Sequence, residues 1–143
     1  MRDACDHPGL LPVDEALRRL WEALPARGLG PLHAERDDPA TDRSAMDGVA
    51  LRAADGPSPR RLLGTLFAGD DPSAFTVTPG TAVRIMTGGA MPAGADAVVP
   101  VERIRVEGDL AHLDGAPTAG DHVRHQGKQA KAGEALLPAG SPF

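Results

Sequence analysis

The sequence predicts a β-rich α+β fold, with one amphipathic helix near the N-terminus and a small antiparallel or barrel-like sheet after it. Three observations carry that expectation. Apolar residues recur at helical spacing in one segment, Pro12 to Leu24. Short β-branched or aliphatic runs, each bounded by Gly, Pro or Asp, follow it. Finally, 17 Gly and 14 Pro in 143 residues, against 3% aromatics, demand frequent turns around an aliphatic core.

In the helical segment the apolar positions are Val13, Ala16, Leu17, Leu20, Trp21 and Leu24, one stripe of a 3.6-residue period that must pack on something. Pro12 suits the first turn, Asp14 and Glu15 complement the positive end of the dipole, and Pro25 stops propagation. Asp14 with Arg18 and Glu15 with Arg19 are expected as i,i+4 pairs on the wet face. Gly28 to Arg43 reads as a polar connector broken by Gly and Pro, with Asp38 pushed out of the helical region by Pro39. Strands are expected at Leu62–Phe67, Ala82–Met86, Ala97–Val101 and Ile104–Val106. The last of these turns at Glu107-Gly108-Asp109 into Leu110–Leu113, a hairpin, and Ala135-Leu136-Leu137 makes one more short strand. No internal repeat is present.

The 15 Lys and Arg against 20 Asp and Glu give a formal charge of −5, which disfavours a nucleic acid or an anionic membrane as partner. No run approaches the roughly 18 apolar residues of a membrane span, and the N-terminus lacks a basic stretch followed by an apolar one. A lone cysteine, Cys5, permits no internal disulfide, so the expectation is a cytoplasmic globular protein with no leader.

Three segments carry candidate chemistry. In Ser44-Ala45-Met46-Asp47-Gly48 a glycine with positive φ would aim Asp47 at a ligand or metal; the plainer alternative is an Asx-type turn. In Arg84-Ile85-Met86-Thr87-Gly88-Gly89 a strand runs into a hydroxyl and two glycines, whose N–H groups would form an anion-binding nest, or simply a strand-ending turn. It is not a Walker motif, for no Gly-Lys-Ser/Thr follows. Asp96 and Glu102 flank an apolar strand at an even separation and would share a face of a regular strand; capping its two ends is the plainer role. His122 and His125, three apart on an extended chain, face opposite sides and are expected on the surface. Nothing near Cys5 in the sequence would activate it.

Taken in order, Leu11-Pro-Val-Asp-Glu-Ala-Leu17, Ser44-Ala-Met-Asp-Gly48, Ala68-Gly69, Arg84-Ile-Met-Thr-Gly88, Pro92-Ala-Gly-Ala-Asp-Ala-Val-Val99 and Ala132-Gly-Glu-Ala-Leu-Leu-Pro-Ala-Gly140 resemble the N-terminal part of the MoeA family, which includes the E domain of gephyrin. The resemblance implies an extended lobe of residues 1–43 and 124–143 with a β-rich lobe of 44–123 inserted in it. It implies molybdenum cofactor biosynthesis, in which full-length proteins, elongated homodimers, insert molybdate into adenylylated molybdopterin with Mg²⁺. It places Asp47 and Thr87 in the active-site cleft, Asp47 as ligand of Mg²⁺ or hydrated molybdate, and Ser44, Gly48, Gly88 and Gly89 beside the substrate.

The departures are specific. Where the family reads Arg-x-x-Gly-Glu-Asp, this chain has Arg124-His-Gln-Gly127-Lys128-Gln129, so two carboxylates become a cation and an amide. Gly-Tyr-Ala becomes Gly48-Val49-Ala50, and the segment before Ser44 is shorter and lacks Pro-Pro-Phe-Asp. The pterin-gripping domain and the C-terminal β domain of the family have no counterpart in these residues. Two readings follow: part of a molybdotransferase whose remaining domains complete the site, or a non-catalytic binding and dimerisation module acting with a complete homologue.

Overall fold

The computed structural model describes residues 13–23 and 30–139, and the chain divides into two units, 1–32 with 137–143 and 33–136. Expectations that fall on Cys5, Pro12, Leu24, Pro25 and Gly28, and on the Trp21 side chain, lie outside the described residues.

In the first unit the helical period produces α1, Val13–Ala23, with Asp14 and Glu15 in its first turn. The Glu15–Arg19 pair forms, Arg19 Nε donating to Glu15 Oε1 at 2.8 Å. The Asp14–Arg18 pair does not, because Arg18 reaches Glu15 and Glu22 instead and spans both with one guanidinium. Of its apolar stripe, Val13 (76%), Leu17 (52%) and Leu20 (61%) are exposed.

The second unit holds most of the strands. Two small pairs join segments distant in the chain: β1 (Leu32–His33) with β10 (Ala135–Leu137), and β2 (Arg43–Ser44) with β9 (Val123–Arg124), the latter antiparallel. The segment read as a connector thus contributes strand. The main sheet comprises β3 (Gly48–Leu51), β4 (Arg60–Leu66), β5 (Thr81–Ile85), β6 (Ala97–Pro100), β7 (Ile104–Glu107) and β8 (Leu110–Leu113) in the order β6-β3-β5-β4-β8-β7, a curled half-barrel. The expected strands appear within a residue or two, and the hairpin turns where Gly108 adopts φ 61°. One neighbouring pair, β4 with β5, is parallel, because the segment 67–80 is long enough to cross over between them.

Strand β3 was not foreseen: apart from Val49 it lacks a β-branched run, and it forms because β5 and β6 pair on either side of it. With both edges paired and all four residues buried, β3 is the centre of the core. Val49 and Leu51 pack with Ala82, Ala97, Val99 and Ala111 on one face, while Ala50 packs with Val83, Ile85, Val98, Leu66 and Val77 on the other. Strands buried on both faces read as largely apolar runs without alternation, as β5 and β6 do.

Candidate functional site

The turn before β3 and the loop after β5 meet because β3 and β5 are antiparallel, with Gly48 opposite Ile85. Register alone therefore brings the two strongest sequence candidates together. Asp47 Oδ1 accepts hydrogen bonds from both the backbone N and the Oγ1 of Thr87, each at 2.7 Å, and both residues are exposed. The Thr87 hydroxyl first, and its N–H second, hold the Asp47 carboxyl below the ordinary aspartate value, so Asp47 is an anion at neutral pH. Its other oxygen, Oδ2, has no hydrogen-bond partner among the described residues.

The other site residues build this contact rather than extend it. Ser44 is buried; its hydroxyl donates to Met46 O at 2.5 Å and accepts from Met46 N at 3.3 Å, which folds the turn that carries Asp47. Gly48 does not have the positive φ expected of it. Its lack of a side chain is required by packing, since a Cβ there would lie 2.0 Å from Val99 O. Gly88 has φ 82°, as a strand-ending turn requires. Its N–H donates to Ser44 O at 2.9 Å, and that of Gly89 to Met86 O at 2.8 Å. With the Thr87 N–H on Asp47, the three donors of the expected anion nest are engaged within the chain, so the nest reading gives way to the turn.

Asp96 and Glu102 do not share a face. Strand β6 ends at Pro100 and a 3₁₀ turn, Val101–Arg103, carries Glu102 away, while Asp96 Oδ1 accepts Ala53 N at 2.7 Å. His122 and His125 are both exposed, and His125 Nδ1 lies 3.2 Å from Asp42 Oδ2. Among the described residues, no three His, Cys, Asp or Glu side chains stand together to cage a metal.

Two features were missed by sequence reasoning. Asp37 and Asp42 bind the segment after β9: Asp37 accepts from Ala132 N (2.9 Å) and Gln126 Nε2 (2.7 Å), and Asp42 from Gln126 N (2.8 Å). These bonds hold both carboxyls below the usual range, the Ala132 N–H foremost for Asp37 and the Gln126 N–H foremost for Asp42. The second is a cavity of about 560 Å³ walled by Arg36, Pro39, Arg43, Gly88, Arg124 and Gln129, with Asp37, Asp38 and Ala40 completing it. No sequence spacing signals it, because its lining comes from three separate segments, residues 36–43, Gly88 and residues 124–129.

Comparison with known proteins agrees with this architecture. Residues 11–143 match the family described as the MoeA N-terminal region (domain I and II). A molybdopterin molybdenumtransferase of Nostoc sp. (strain PCC 7120) is 36% identical over 88% of this chain and 30% of its own length. Molybdopterin molybdenumtransferase 2 of Mycobacterium tuberculosis is 39% identical over 80% of this chain and 31% of its own. The crystal structure of a molybdopterin biosynthesis moeA protein from Pyrococcus horikoshii OT3 superposes with a TM-score of 0.73 at 31% identity, over 78% of this chain and 31% of that one. The fold is that of the N-terminal region of MoeA-type proteins. The chain belongs to the MoeA family, and it spans about 30% of the length of these curated relatives.

Proposed function

We propose that this chain supplies one wall of a molybdopterin molybdotransferase site, in which molybdate is inserted into adenylylated molybdopterin and further domains grip the pterin. The observation that carries this reading is the Asp47–Thr87 contact. It joins two motifs forty residues apart in the chain into one carboxylate with a single outward oxygen. Asp47 acts as an anion, not as a proton donor. Thr87 is a positioning residue, since both its donors are spent on Asp47 Oδ1. Ser44, Gly48, Gly88 and Gly89 shape the cleft against which substrate lies.

One open carboxylate oxygen suits a Mg²⁺ that keeps several waters and is held mostly by substrate phosphates, with Asp47 as its protein ligand. Such an ion would neutralise phosphate charge during the transfer. Molybdate enters as substrate. The lobe division at about residues 43 and 124 is supported by the β2–β9 pair, which places Arg43 opposite Arg124 so that the chain leaves and re-enters the β-rich part at one point. The reading brings with it a cytoplasmic homodimer, and the open stripe of α1 is the kind of face a second copy would cover.

The test is reconstitution. The chain, combined with the remaining domains of a family member, is given adenylylated molybdopterin, molybdate and Mg²⁺ and assayed for active cofactor. Turnover that depends on the chain and disappears in Asp47→Asn, with the melting temperature held, is the expected result; full turnover in Asp47→Asn refutes the role. The second reading, a non-catalytic module partnering a complete homologue, is favoured by Lys128 and Gln129, both exposed where the family motif carries acids. It expects binding to that homologue with no turnover that depends on Asp47.

A further inference from the structure

Strand β7 (Ile104–Glu107) ends the main sheet and pairs only with β8. Which of its backbone groups face outward follows from alternation along the hairpin. Asp114 N donates to Arg103 O at 2.8 Å, so Arg105 with His112 and Glu107 with Leu110 are also hydrogen-bonded pairs. Ile104 and Val106 therefore direct their backbone groups away from β8. The Ile104 N–H is spent on Val101 O in the 3₁₀ turn, which leaves the Ile104 carbonyl and both backbone groups of Val106 without a partner among the described residues. Sheets usually blunt such an edge with a proline or a bulge, and β7 has neither. Instead Val106, 37% exposed, carries the apolar face of Ile104, Ala111 and Leu113 out to the rim.

The charges along this edge are antisymmetric about Val106. Arg103 and Arg105 precede it, Glu107 and Asp109 follow it at the same separations, and all four are exposed. Within the chain Arg105 Nη1 bonds Glu107 Oε1, and Glu107 Oε2 lies 3.4 Å from His112 Nε2. We infer that β7 pairs antiparallel with β7 of a second copy of this chain, about a two-fold axis at Val106. The two Val106 residues exchange both backbone hydrogen bonds, and each Ile104 carbonyl accepts the Gly108 N–H of the other copy. Arg105 of each copy then stands opposite Glu107 of the other in the closer, non-hydrogen-bonded relation, and Arg103 comes opposite Asp109. Charge selects this register. An axis at Arg105 sets Arg105 against itself, an axis at Glu107 sets Glu107 against itself, and a slip by one residue joins the apolar face to the charged one. The contact is isologous, so it closes with two copies and removes the free edge of both. It is separate from the stripe of α1, and β4 and β8 stand between it and the strands that carry Asp47 and Thr87.

The experiment is sedimentation velocity with amide hydrogen exchange on the 143-residue chain, from about 10 µM to about 1 mM, since a seam this short makes a weak dimer. Reversible dimerisation is expected, with protection of the Val106 amide rising with concentration while that of Arg105, already bonded to β8, stays constant. Arg105→Glu and Glu107→Arg each set like charges across the seam and weaken association about tenfold or more. An equimolar mixture of the two restores opposite charges and dimerises as the parent does. Leu17→Glu, on α1, leaves association unchanged. A parent chain that stays monomeric at the highest concentration, variants that associate as the parent does, a mixture that fails to recover, or association lost in Leu17→Glu overturns the inference. None of these results bears on the transferase reading, which is tested by Asp47→Asn turnover.

Discussion

Gly48→Ala probes the packing that supports the site. A Cβ at residue 48 would lie 2.0 Å from Val99 O, 2.9 Å from Val99 C and 3.0 Å from Pro100 Cα, all of them backbone atoms of β6. No side-chain rotation relieves such contacts. Either β3 moves off β6 or the ladder between Gly48 and Pro100 parts, in a strand whose four residues are all buried. Overpacking of this kind costs about 1–3 kcal/mol and sometimes more. With backbone on both sides we take about 3 kcal/mol, and at roughly 4 °C per kcal/mol the melting temperature falls by about 12 °C. Two controls set the scale. Gly64→Ala meets the ring of Phe75 at 2.3 Å, but that ring is half-buried and able to turn, so the loss is smaller. Gly30→Ala meets nothing within 4 Å and changes stability by less than about 0.5 kcal/mol. Urea unfolding of the three variants, with m unchanged, gives the order. Because Asp47 O accepts Val101 N at 2.9 Å beside this contact, displacement of β3 also disturbs the Asp47–Thr87 bonds. A Gly48→Ala chain as stable as Gly30→Ala would refute the argument.

Thr87→Val removes the hydroxyl that does most to hold the Asp47 carboxyl low, so carbon-detected titration should show that carboxyl rising towards the ordinary aspartate value, with turnover in the reconstituted system falling. For Asp37 and Asp42 the native pKa lies below the unfolded one, so the unfolded state binds more protons in acid. Their contribution is complete above about pH 4–5 and is lost as pH falls through the lower native values. Hydrogen exchange at Gln126 and Ala132 should accelerate over that window, and Asp37→Asn should remove the pH dependence at Ala132. Arg60 is fully buried, donating to the carbonyls of Gly56 and Ser58, with its Nε 3.8 Å from Asp55 Oδ2. Asp55→Asn leaves that cation unbalanced and should cost about 3 kcal/mol in denaturant unfolding, more than the Asp55→Asn, Arg60→Met double variant.

The sequence by itself determined α1, the hairpin of β7 and β8, the aliphatic strands β5 and β6, and the identity of Asp47 and Thr87 as candidates. Each is a local signal: a 3.6-residue period, a turn at Gly108, a run of β-branched residues, a hydroxyl or carboxylate set against glycine. Tertiary structure decided what those residues do. Strand β3 exists because two neighbours supply its hydrogen bonds, and Gly48 is required by an approach of β6 that no spacing within Ser44–Gly48 encodes. The loop donors at Thr87, Gly88 and Gly89 looked open in sequence and are spent on Asp47, Ser44 and Met86. Arg43 and Arg124 face each other only through strand register. Periodicity and turn chemistry act between near neighbours along the chain, whereas hydrogen-bond partners and charge neighbours are chosen across it, and the choice is made when the sheet closes.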